Sequence, residues 1–151
     1  MLAGSVIQLC RSLLTLVSYS ISTHGLYPSN DSALTRGVSL EITKVNDVAR
    51  AKNPHGVDAR PIYAHENAQV IILTLKPGDA LRRHITPVDV FFYVLEGKGI
   101  VEIGDEKTEV EKDSIVHSPA KILHCWYNES DTPLRIMVAK TPKPTASTIL
   151  L

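Results

Sequence analysis

Histidine has the widest chemical scope of any residue type in this chain, because an imidazole changes charge near neutral pH. It can act as a general base, donate to an anion or ligate a metal. Of the six histidines, His84 and His124 lie in stretches that go beyond generic β-strand composition. These are PGDALRRHITPVDVFFYVLEGKG, Pro77 to Gly99, and DSIVHSPAKILHCWYN, Asp113 to Asn128. Arg82 and Arg83 beside His84 either favour an anionic ligand or guard an exposed edge against pairing. Side chains alternate along a strand, so Ile122, His124 and Trp126 share one face. Cys125 then points the other way, as a small packed residue. His117 reaches the same interior only if its parity matches. His24, His55 and His65 sit in no such stretch and read as surface or satisfied core imidazoles.

The elements that position these residues are short. Runs rich in Val, Ile, Phe and Tyr recur about every ten residues from Arg60 onward, separated by Gly, Pro, Asn and Asp. The pattern predicts strands over Pro61–Ala64, Gln69–Leu75, Val90–Leu95, Gly99–Ile103 and Thr108–Val110, then SIVH, ILHCWY and LRIMVAK. Gly99–Ile103 and Thr108–Val110 pair as a hairpin. A helical turn is expected near Val45 to Ala51. Many strands without a convincing helix between them imply an all-β sandwich or jelly-roll barrel.

At 151 residues, 44% hydrophobic and 21% charged, the chain has length for one cored domain with appendages. Sixteen basic residues balance sixteen acidic ones, so no global field draws the protein to nucleic acid. Two cysteines, Cys10 and Cys125, are too few for a disulfide framework or zinc ribbon. The first twenty residues contain an apolar stretch interrupted by Arg11 and preceded by no basic residue. Its uninterrupted piece is far shorter than the roughly 20 apolar residues a membrane span needs. A cytoplasmic location is expected, the alternative being export if residues 1–20 act as a weak signal. The expected organisation is a helical or disordered leader over residues 1–36, a β-barrel over 37–144 and a surface tail over 145–151.

The two histidine-bearing stretches resemble the two motifs of the cupin family. The first motif runs Gly, five residues, His-x-His, three or four residues, Glu, six residues, Gly; Gly78, His84 and Gly97 fall on it. The second runs Gly, five residues, Pro-x-Gly, two residues, His, three residues, Asn; Pro119, His124 and Asn128 match. The resemblance implies a jelly-roll barrel, the double-stranded β-helix, and often a homodimer. Its departures bear on function. Thr86 stands at the second metal-binding His, Val90 at the Glu ligand, and Asp113 and Lys121 at two glycines. His84 and His124 remain from four usual ligands, whereas a metal is normally held by three or four donors. Asp89 is the nearest carboxylate and would complete a site for a divalent ion if a bulge near Pro87 shifted the register.

Three functions are therefore weighed. The first is a barrel that binds a small organic molecule, such as an acid or sugar derivative, with a partly degenerate metal site and no essential metal. Its pocket would be lined by His84, Thr86, Phe92, His124 and Trp126. The second is a metal-dependent dioxygenase, isomerase or decarboxylase holding iron, manganese, zinc or nickel on His84 and His124. The third is a structural or dimerisation module with an inert interior.

Overall fold

The computed structural model describes residues 39–151; the expected leader, with its apolar start and Cys10, lies outside the described residues. The described chain forms ten strands: β1 Asp58–His65, β2 Ala68–Leu75, β3 His84–Ile85, β4 Asp89–Glu96, β5 Lys98–Ile103, β6 Glu106–Glu111, β7 Ile115–Ser118, β8 Leu123–Tyr127, β9 Leu134–Thr141 and β10 Ile149–Leu150. They build two five-stranded sheets, ordered β1-β2-β9-β4-β7 and β10-β3-β8-β5-β6. Every pairing is antiparallel. This is the all-β, double-stranded β-helix barrel expected from the sequence.

Each expected run falls on an observed strand, and the helical turn is a short 3-10 turn at Val45–Asp47. Two strands were not anticipated. β3 and β10 are two residues long, too short to carry a period-two pattern. They pair with each other, Ile149 opposite Ile85 and Leu150 opposite His84, so residues 149–150 of the expected tail extend the second sheet.

Alternation aims the core. Val90, Phe92 and Val94 on β4 are buried and face inward. On β9 they stand opposite Lys140, Val138 and Ile136. Leu75, Val101, Trp126 and Leu134 complete the apolar cluster. Each such side chain contributes about 1.5–3 kcal/mol by leaving water.

Two turns carry the motif positions where glycine is replaced. Asp113 and Lys121 adopt φ of 67° and 64°, a left-handed backbone that favours glycine. Asp113 gains a compensating hydrogen bond from the Tyr93 hydroxyl at 3.0 Å. Gly97 keeps its glycine at φ 78°, where an added Cβ would overlap the Pro133 carbonyl.

Candidate binding site in the barrel interior

His84 on β3 lies directly across from His124 on β8, so adjacent strands deliver the two imidazoles side by side. Their ring centroids are 4.3 Å apart and nearly perpendicular. His55 joins them from the turn after Asn53, with its ring 4.6 Å from that of His84. That turn is held by Asn53, whose Nδ2 donates to the Ala51 and Val57 carbonyls and whose Oδ1 accepts from the His55 amide. The fourth polar group is Lys140, which continues the inward parity of Leu134, Ile136 and Val138. Lys140 stands between Gln69 on β2 and Val90 on β4.

These groups and the apolar side chains of Ile71, Leu73, Val90, Phe92 and Val138 line a cavity of about 170 Å³. Thr148, next to β10, lines it from the C-terminal segment. No Asp or Glu lines the cavity among the described residues. Lys140 likewise has no carboxylate within ion-pairing distance there.

Hydrogen bonding assigns much of the protonation. His55 Nδ1 accepts the Arg82 amide at 3.0 Å, so a neutral His55 carries its proton on Nε2. His84 Nδ1 donates to the Arg82 carbonyl at 2.7 Å, which leaves a lone pair on Nε2. His124 pairs through Nδ1 with Ser118 Oγ at 2.8 Å and through Nε2 with Thr86 Oγ1 at 3.4 Å. Burial, reinforced by the neighbouring basic groups His84 and Lys140, depresses His124 to about 3 and His55 to about 4. His84 is lowered too, by burial against the opposing Arg82 carbonyl. Burial also lowers Lys140. At neutral pH the imidazoles are therefore uncharged, which leaves Lys140 as the other basic group of the cavity.

Of the five expected pocket residues, His84, His124 and Phe92 line the cavity, while Thr86 and Trp126 do not. Thr86 is buried behind His124. Trp126 lies one inward position further along β8, fully buried against Phe92 with ring centroids 5.4 Å apart. Asp89 is corrected more sharply. Its register with β9 is continuous from Asp89 to Val94, no bulge turns it inward, and its Oδ1 accepts the Ala120 amide at 2.7 Å. It is an exposed loop cap rather than a third ligand. Cys125 faces away from His124 as expected, its thiol donating to the Leu81 carbonyl. Arg83 pairs with Glu102 at 2.7 Å, and His117 lines a separate hollow with Pro119 and Ile122. His55 and Lys140 escaped the sequence reading. His55 sits in no motif, whereas Lys140 had a usable signal in the alternation of LRIMVAK.

A family model described as a cupin domain matches residues 71–140. Over those residues the chain is a cupin domain. Protein TT1209 of Thermus thermophilus superposes with a TM-score of 0.61 at 29% identity, over 70% of this chain and all of that one. The polyketide cyclase RemF of Streptomyces resistomycificus superposes with a TM-score of 0.66 at 15% identity, over 75% of this chain and 86% of that one, a likeness of fold alone. The uncharacterized protein MJ1618 of Methanocaldococcus jannaschii is 34% identical over 62 residues, 41% of this chain and 49% of that one. The chain spans about half the length of the curated relatives it matches.

Cupins often bind a metal, and the donors present here can be tested against one. The positions of the usual His and Glu ligands hold Thr86 and Val90, both buried, and Lys140 lies directly across from Val90. His55 Nδ1 is engaged by a backbone amide, and its free nitrogen bears a proton. Among the described residues no three His, Cys, Asp or Glu groups converge as a metal would require. Two imidazoles beside a lysine, with no carboxylate to offset a dication, do not fit a divalent ion. No helix of the described residues is long and apolar enough to cross a membrane.

Proposed function

We propose that the cupin barrel binds a small organic acid, with Lys140 as counter-charge, the His55 Nε2–H as donor and no metal required. The observation that carries this is a cavity lined by His55, His84, His124 and Lys140 without an acidic side chain among the described residues. An anion entering it supplies Lys140 with the charge partner that the described residues do not, and His55 Nε2–H can donate to it. The apolar walls suit the carbon body of such a ligand. The volume admits a compact one, since a cavity of roughly 150 Å³ holds a benzene-sized molecule.

The test is thermal unfolding of chelator-treated protein with small monocarboxylates and their uncharged amides. Acids raise the midpoint in a saturable way and the amides do not. Stabilisation that vanishes with chelator and returns with a divalent metal would contradict the reading.

A further inference from the structure

The amine of Lys140 is unlike every other lysine of the chain, all of which sit at exposed positions. It projects from the end of β9 into the same cavity as three histidines, and no carboxylate of the described residues ties it down. We propose that Lys140 is a nucleophile for a carbonyl group, and that the cavity forms an imine between Lys140 Nζ and a small 2-oxo acid. This rests on the acid-binding reading above and narrows its ligand class.

The chemistry is balanced by groups already in place. The neutral amine's lone pair attacks the carbonyl carbon, forming the C–N bond as the carbonyl oxygen takes up a proton. The resulting carbinolamine loses the nitrogen's proton and its hydroxyl as water, leaving the C=N bond; no oxidant or reductant is consumed. His84, with its Nε2 lone pair, can carry a proton from the attacking nitrogen to the carbonyl oxygen, and the neutral His55 can hydrogen-bond to that oxygen through Nε2–H. Apolar surroundings raise the neutral fraction of the amine, in keeping with the lowered basicity of Lys140. The walls formed by Ile71, Leu73 and Phe92 limit the water available to reverse the condensation. Size agrees as well, because a cavity near 150 Å³ holds about six non-hydrogen atoms, the size of the shortest 2-oxo acid with a ketone.

Full-length protein incubated with pyruvate and cyanoborohydride is digested and its lysine peptides are mapped by mass spectrometry. The expected result is one reduced pyruvate adduct concentrated on Lys140, lost in Lys140→Met and Lys140→Arg and suppressed by excess propionate. An adduct spread evenly over exposed lysines, or none on Lys140, overturns the imine; this reading uses the wild-type protein and does not depend on either variant folding. Thermal shift with propionate, which has no ketone, is measured in parallel. A propionate shift without an adduct removes the imine and leaves the acid pocket standing, whereas absence of both removes the two together.

Discussion

The inward residues of β9 run Leu134, Ile136, Val138 and Lys140, and they divide the barrel into two unlike halves. Around Leu134 and Ile136 the interior is filled by Leu75, Val94, Val101 and Trp126. Its buried polar residue Asn128 is fully engaged. Nδ2 donates to the Leu75 and Thr132 carbonyls at 3.0 and 2.8 Å, and Oδ1 accepts from the Ser130 amide and hydroxyl. Around Lys140 the interior is hollow, and the amine lacks a charge partner among the described residues. Asn128 and His124 lie four residues apart in one family motif and both are hydrogen-bonded, yet Asn128 sits in the packed half and His124 at the wall of the cavity. A buried amide with all its partners holds the fold together, whereas a lysine with no carboxylate beside it among the described residues is available to an anionic ligand.

The contrast is broken most severely at the filled half. Asn128→Ala strands the Leu75 and Thr132 carbonyls and releases the turn between β8 and β9, with an expected loss of about 2–4 kcal/mol in urea unfolding. A loss below about 1 kcal/mol would mean that the network merely decorates the turn.

At the hollow half, acid is the probe. Unfolded, His124 titrates near 6.5; folded, it is depressed to about 3. Its contribution is fully present above pH 6.5, where both states are neutral. As pH falls below that value the unfolded chain binds a proton that the folded chain refuses, so stability declines by about 1.4 kcal/mol per pH unit from this residue. His124→Gln should flatten the dependence of unfolding free energy between about pH 6 and 4.5 by about one proton. An unchanged slope in the variant would show that His124 is already protonated in the fold.

The smallest effect lies outside both halves. Lys121 is exposed, at φ 64°, so Lys121→Gly relieves backbone strain without removing a buried contact. The expected gain is about 1 kcal/mol in unfolding free energy, with ligand binding unchanged. Destabilisation would mean that the lysine side chain offsets its strained backbone.

The filled half was legible in the sequence because its information is periodic. VFFYVL and LRIMVAK are apolar runs of strand length, their turns are punctuated by Gly, Pro and Asp, and the two motif spacings agree with a cupin barrel. The hollow half was legible only in part. His84 and His124 occupy motif positions, but His55 arrives through a turn whose place is set by Asn53 hydrogen bonds. Lys140 was hidden by its type, since a terminal lysine on an apolar strand reads as solvent-facing even when its parity points inward. Trp126 was misplaced for the opposite reason. It shares the face of His124, but a step of two residues carries it along the barrel axis from the cavity into the packed core. There its indole N–H has no hydrogen-bond partner among the described residues.

The central claim is that Lys140, and not a metal, holds an acid in the hollow half. Calorimetric titration of metal-stripped wild type and Lys140→Met with propionate tests it most directly. The account predicts saturable, metal-independent binding in the wild type and its loss in a variant that unfolds at no lower temperature. Equal binding by both proteins, or binding that appears only when a divalent metal is restored, would contradict it.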